Sequence, residues 1–232
     1  MPQVRPSDLA AVILEPVLGK DGFVVPPPAF AAELNAFCQK HGIVLIADEV
    51  QTGMGRTGAM FASERVGLQP DLVTCAKSIA GGLPLAGVVG NAKVMNSTPV
   101  GGVGGTFAGN PVACAAAIET IAVLEKEIAS GRPNALGEKV HAFLKSIDSP
   151  LIGEVRGLGP MQAMELVKDK STKEPAEAET KAILTAAREK GLLLLSAGTY
   201  GNVIRLLFPL TIEDAALDEG LAILAAAVKA VR

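Results

Sequence analysis

An α/β fold built on a mostly parallel sheet is predicted by three observations. The apolar runs at 9–14, 43–47 and 72–76 are continuous rather than alternating, as strands of a parallel sheet covered on both faces require. Helical spacing separates the first two runs, giving the order strand, helix, strand. The second and third runs stop abruptly on Asp48 and Lys77, at the carboxyl edge where such sheets hold ligands.

The elements follow in order. "LAAVIL" (9–14) reads as a buried strand ending at Glu15-Pro16, and "LGKDGFVVPPP" as the loop after it. Pro26 to Pro28 fix an extended entry to a helix whose face carries Phe30, Leu34, Phe37 and Cys38 and which stops at Gly42. "IVLIA" is the next strand, followed by Asp48, Glu49 and a glycine-rich loop. Pro70-Asp71 opens "LVTCA", which ends at Lys77 and a Gly81-Gly82 turn, and "LAGVVG" reads as one more short strand. After Asn110-Pro111 comes a long alanine-rich helix. "GEVRGLGPMQAMELV" reads as an antiparallel pair or a bent strand, followed by a charged loop, a helix at about 178–190, and the segments "LLLLSAG" and "NVIRLLFPL". Thr211 and Asp214 suggest a capping box for a last helix faced by Leu217, Leu221 and Leu224. The change of character near 125 divides the chain into domains 1–125 and 126–232.

Composition excludes several function classes. With 232 residues, 49% hydrophobic and 19% charged, the chain can bury a core. A net charge of −3 leaves no basic stripe for nucleic acid. The apolar runs are too short to span a bilayer and no signal pattern opens the sequence, so a cytoplasmic protein is expected. Cys38, Cys75 and Cys114 show no metal or disulfide spacing and read as buried thiols. His41 and His141 stand outside any glycine- or acid-rich cluster and read as non-catalytic.

The candidate chemistry lies in Asp48 and Lys77. An amine and a carboxylate at the ends of nearby strands suit a pyridoxal phosphate site, where the amine condenses with the cofactor aldehyde and the carboxylate keeps a proton on the pyridine nitrogen. "GGVGGTFAGNP" (101–111) adds glycines and the Thr106 hydroxyl, a plausible phosphate contact.

"LIADEVQTGMGRTG", "PDLVTCAKSIAGGLPLAGVVG" and "GGTFAGNPVACAAA", in this order and spacing, resemble the class III pyridoxal phosphate aminotransferases, and the tail "GLLLLSAGTYGNVIRLLFPLTIEDA" resembles the 4-aminobutyrate and 5-aminovalerate enzymes among them. The resemblance implies the type I fold of pyridoxal phosphate transferases, with 1–125 as the C-terminal part of the cofactor-binding large domain and 126–232 as the small domain. It implies transamination of an omega-amino acid with 2-oxoglutarate. Lys77 would be the cofactor-linked lysine and proton carrier, Asp48 the ring-nitrogen partner, Val50 a ring contact and Gln51 a partner of the phenolic oxygen. Thr106 would bind phosphate across a homodimer interface with shared sites, and Arg205 would bind the α-carboxylate of glutamate or 2-oxoglutarate. Glu49 is expected to give local support.

Two departures open other readings. Lys20 stands where the resemblance leads one to expect a glutamate facing Arg205, with Asp21 beside it. This leaves open an aminomutase of the glutamate-1-semialdehyde kind or an ornithine or diamine transaminase. The family also has a long portion before the point matched by Met1, supplying a phosphate cup and a ring-stacking aromatic. The chain is therefore expected to be a C-terminal portion with an open sheet edge, either catalytic within a larger whole or silent and serving as an interaction module.

Overall fold

The computed structural model describes residues 4–231 and divides into two compact units, Met1–Val17 with Pro26–Ala129, and Leu18–Val25 with Ser130–Arg232. The division falls after Ala129, at the end of the long alanine-rich helix, and the segment 18–25 belongs to the second unit.

The first unit contains β1 (Ala11–Leu14), α1 (Pro28–His41), β2 (Val44–Asp48), α2 (Ala62–Val66), β3 (Leu72–Cys75), β4 (Gly87–Gly90), α3 (Ala92–Met95) and α4 (Pro111–Ala129). Its sheet runs β1-β2-β3-β4, the first three strands parallel and β4 antiparallel. Proline in its first turn starts α1, and Gly42, at φ 65°, ends it by donating its N–H to the Cys38 and Gln39 carbonyls. The helix buries Ala31 and Cys38 against Ile43, Leu45 and Leu68, each leucine-sized side chain contributing roughly 1.5–3 kcal/mol. Asn110 starts α4, its Oδ1 accepting from the Val112 and Ala113 N–H groups. Cys38 and Cys75 are buried, whereas Cys114 on α4 is only partly covered.

The sheet is not covered on both faces by the described residues. Ile13 on β1 and Val88 and Val89 on β4 are 60%, 47% and 50% exposed. β1 and β4 are its two edges, each paired with one neighbour among the described residues.

The second unit contains α5 (Arg132–Ser146), β5 (Ile152–Leu158), β6 (Met161–Leu166), α6 (Glu177–Glu189), β7 (Leu195–Ala197), β8 (Val203–Leu206) and α7 (Asp214–Ala230). The antiparallel sheet has the order β5-β6-β8-β7. Leu136, Val140 and Leu144 of α5, Ile183 of α6 and Leu217, Leu221 and Leu224 of α7 form a single core with Met164, Leu166 and Ile204 of the sheet.

Two features differ from the sequence reading. α5 has no counterpart in it, although Leu136, Val140 and Leu144 repeat every fourth residue and Pro133 lies in its first turn. The start of α7 is not a capping box: Glu213 is the N-cap with no side-chain cap bond, and Arg132 instead donates to the Ile212 carbonyl and, at 3.2 Å, to Asp214.

The segment 18–25 is held to the second unit by long-range backbone contacts. Arg156 Nε donates to the Gly22 carbonyl at 2.8 Å, the Gly198 N–H donates to the Lys20 carbonyl at 3.0 Å, and Phe23 is fully buried.

Candidate active site

β2 carries Asp48 to the carboxyl end of the parallel sheet because it is paired on both sides, Ala47 opposite Leu14 and Asp48 opposite Thr74. Asp48 Oδ1 accepts from the Val50 N–H at 3.1 Å and from the Thr74 hydroxyl at 3.2 Å. Oδ2 has no protein donor among the described residues. The half-buried carboxylate is thereby oriented without being saturated.

Lys77 follows Thr74 by three residues, just past the end of β3, so both groups lie at the same edge of neighbouring parallel strands. It opens a short 3₁₀ turn (Lys77–Ala80) that closes on Gly81 in the left-handed region. Lys77 itself has φ 43°, a conformation costly for any residue with a Cβ. Such strain persists where the surroundings over-determine it, commonly at functional positions. The turn sits against α4, since a Cβ on Gly81 would lie 3.0 Å from Thr120 Oγ1. The Lys77 side chain is exposed and makes no ion pair among the described residues. Nearby Cys75 donates its thiol to the Gly87 carbonyl at 3.5 Å, and burial pushes that thiol up, so it offers no competing thiolate.

Glu49 plays the opposite part to Asp48. It is 1% exposed and accepts from the Thr52 hydroxyl at 2.5 Å, the Ala62 N–H at 3.0 Å, the Ser63 N–H at 2.7 Å and the Ser63 hydroxyl at 2.8 Å. Its own N–H donates to the Thr74 carbonyl. This carboxylate ties the glycine-rich loop back onto the strand end, which fixes half-buried Val50 and Gln51 just beyond Asp48. Gly53 is needed there, because a Cβ would come within 2.9 Å of the Glu49 carbonyl oxygen.

The other candidates are on other segments. Thr106 is on a segment exposed from 95 to 112 and shares no hydrogen bond with Asp48 or Lys77. Added Cβ atoms on Gly104 and Gly105 would meet nothing within 4 Å, so the described residues do not close a phosphate cradle around it. Arg205 is on β8 of the second unit, opposite Ala163 and Leu195. Its Nη1 donates to the Gly19 carbonyl at 3.0 Å and its guanidinium carbon lies 5.6 Å from the centre of the Phe23 ring. The sequence reading missed Thr74 and Phe23. Thr74 was within reach, as a hydroxyl three residues before Lys77, whereas Phe23 meets Arg205 only through the fold.

The chain belongs to the class III aminotransferases, whose family model ("Aminotransferase class-III") matches residues 1–228. Among its relatives, the 5-aminovalerate aminotransferase DavT of Pseudomonas putida is 56% identical over 222 residues, covering 95% of this chain and 52% of that protein. The 4-aminobutyrate aminotransferase GabT of Escherichia coli K12 is 53% identical over 221 residues, covering 94% and 52%. A Bacillus anthracis aminotransferase superposes with a TM-score of 0.90 at 32% identity, covering 98% of this chain and 54% of that one. The chain thus spans about half the length of the relatives it matches.

Aminotransferases of this class are pyridoxal phosphate-dependent. The donor set fits that cofactor in part: an uncommitted carboxylate oxygen on Asp48 and an exposed lysine at the same sheet edge. The expected phosphate contact, Thr106, lies on an open loop among the described residues.

Proposed function

We propose that this chain carries the catalytic lysine of a pyridoxal phosphate-dependent transaminase that moves the amino group of 4-aminobutyrate or 5-aminovalerate to 2-oxoglutarate, giving the semialdehyde and glutamate. The observation that carries this reading is the pairing of Asp48 and Lys77 at the carboxyl ends of adjacent parallel strands, one oriented by Thr74 and the other unpaired among the described residues. The names of the relatives at 56% and 53% identity support the substrate class.

When bound, pyridoxal phosphate supplies an aldehyde that condenses with amines and a protonated ring that accepts the electron pair left when the substrate loses its proton. Lys77 would hold the cofactor through its amine and would be the base that carries a proton between the substrate carbon and the cofactor carbon. Asp48 would keep a proton on the ring nitrogen, since an opposite charge close by favours the protonated form. Val50 would pack on the ring, Gln51 would meet the phenolic oxygen and Thr106 would bind the phosphate across a homodimer interface. Met1–Val17 with Pro26–Ala129 serve as part of the cofactor domain, and Leu18–Val25 with Ser130–Arg232 as the small domain, of a cytoplasmic enzyme. No helix among the described residues is long and apolar enough to cross a membrane.

Arg205 is the carboxylate binder. Arg205→Ala is expected to raise KM for 2-oxoglutarate and glutamate on the order of 10²-fold, the cost of losing one side of a desolvated charge pair, with a far smaller effect on a simple monoamine. Equal losses for both would contradict this role. Lys20 supports a second reading, an ornithine or diamine transaminase or an aminomutase. Rates for a panel of amines with 2-oxoglutarate decide between them: preference for 4-aminobutyrate or 5-aminovalerate upholds the first reading, and preference for a diamine the second.

A further inference from the structure

The turn 18–24 is costly to build. Leu18 and Val24 pair as an isolated antiparallel bridge, with the Leu18 N–H donating to the Val24 carbonyl and the Phe23 N–H to the Leu18 carbonyl. Closing it puts Gly22 at φ 95° and Phe23 at φ 57°. The first is possible only without a side chain, since a Cβ on Gly22 would lie 2.7 Å from Val203 Cγ1. The second is rare for an aromatic residue and costs on the order of 1–3 kcal/mol.

What this conformation achieves is specific. The Phe23 ring, fully buried, lies beneath the Arg205 guanidinium at 5.6 Å, within the range of a cation–π contact. The same turn supplies the Gly19 carbonyl that accepts from Arg205 Nη1 at 3.0 Å. The turn is anchored in its own unit by Arg156 Nε on the Gly22 carbonyl and by Gly198 N–H on the Lys20 carbonyl. Arg156 is held in turn by Glu154 at 2.7 Å and by Glu165. Arg205 is thus met from one turn by the Phe23 ring and by the Gly19 carbonyl.

We infer that the turn 18–24 is the positioning element for Arg205, with the Phe23 ring and the Gly19 carbonyl fixing where the guanidinium meets a substrate carboxylate. This rests on the carboxylate-binding role given to Arg205 above. Phe23 is a positioning residue: it does not touch substrate, and it acts by lowering the entropy the arginine loses when a carboxylate binds. A pre-set fork favours a substrate carboxylate presented in one orientation, which makes the turn a determinant of affinity for substrates that carry an α-carboxylate.

The test uses the cofactor-loaded protein and glutarate as an unreactive dicarboxylate, its affinity read by titration calorimetry. Replacing Phe23 with mono-, di- and trifluorinated phenylalanine keeps the ring's shape and withdraws charge from its face, so the core stays filled while the cation–π contact fades. Glutarate affinity is expected to fall step by step, by roughly 3- to 30-fold in total, and the same series in an Arg205→Ala background should be flat. Affinity that ignores fluorination in both backgrounds, with Arg205→Ala alone weakening glutarate, would overturn the role of Phe23 and leave that of Arg205 standing. Glutarate binding unaffected by Arg205→Ala would overturn both.

Discussion

Replacing Lys77 with alanine is expected to lower transamination by on the order of 10²–10⁴-fold through lost proton transfer alone, and further through the lost covalent attachment, while leaving the fold intact. The side chain is exposed and makes no ion pair among the described residues, so little packing is removed. Exposed substitutions of this kind usually stay within about 0.5 kcal/mol of the parent. The backbone sharpens the test. Lys77 has φ 43°, which alanine tolerates no better and glycine tolerates freely. Lys77→Gly should therefore melt no lower than the parent and still be inactive, separating a strained functional position from a structural one. Retained activity in Lys77→Ala would remove this residue from the chemistry.

Glu49→Gln is expected to have the largest effect on stability. The carboxylate takes four hydrogen bonds from Thr52, Ala62 and Ser63 with almost no exposure to water. Glutamine offers one acceptor oxygen in place of two, and its NH₂ group would face donors. With charge-assisted bonds worth about 1.5–3 kcal/mol each and unpaired buried donors about 1–3, a loss of about 3 kcal/mol follows. Thermal unfolding should move down by roughly 6–12 °C at this chain length. The loop that carries Val50 and Gln51 loosens with it, so cofactor affinity should drop in the same variant. An unchanged melting temperature would show that these bonds do not hold the loop.

The adjacent acids at the end of β2 show how much of the site was legible in the sequence. A continuous apolar run that stops on a charge marks a parallel strand and its ligand edge, and the structure places Asp48 and the residues leading to Lys77 on adjoining strands. Which acid faces outward follows from the alternation of the strand, but the network around Glu49 depends on residues 52 to 63 folding back on it, which no local pattern announces. α5 was obscured by Gly137, a poor helix residue. The fold requires that glycine, because a Cβ there would come within 2.3 Å of the Gly159 backbone. The placement of 18–25 in the second unit was equally hidden, since its anchors, Arg156, Gly198 and Arg205, lie more than a hundred residues away. The start of α7 depends on Arg132, also remote in sequence. Local chemistry was legible; long-range closure was not.

The central claim is that Lys77 holds the cofactor beside Asp48. Its most direct test is to titrate the protein with pyridoxal phosphate, reduce with borohydride and map the labelled peptides. Saturable labelling confined to the peptide containing Lys77 is the expected result. A label fixed on another lysine while Lys77 stays unmodified, or no saturable label at all, would contradict it.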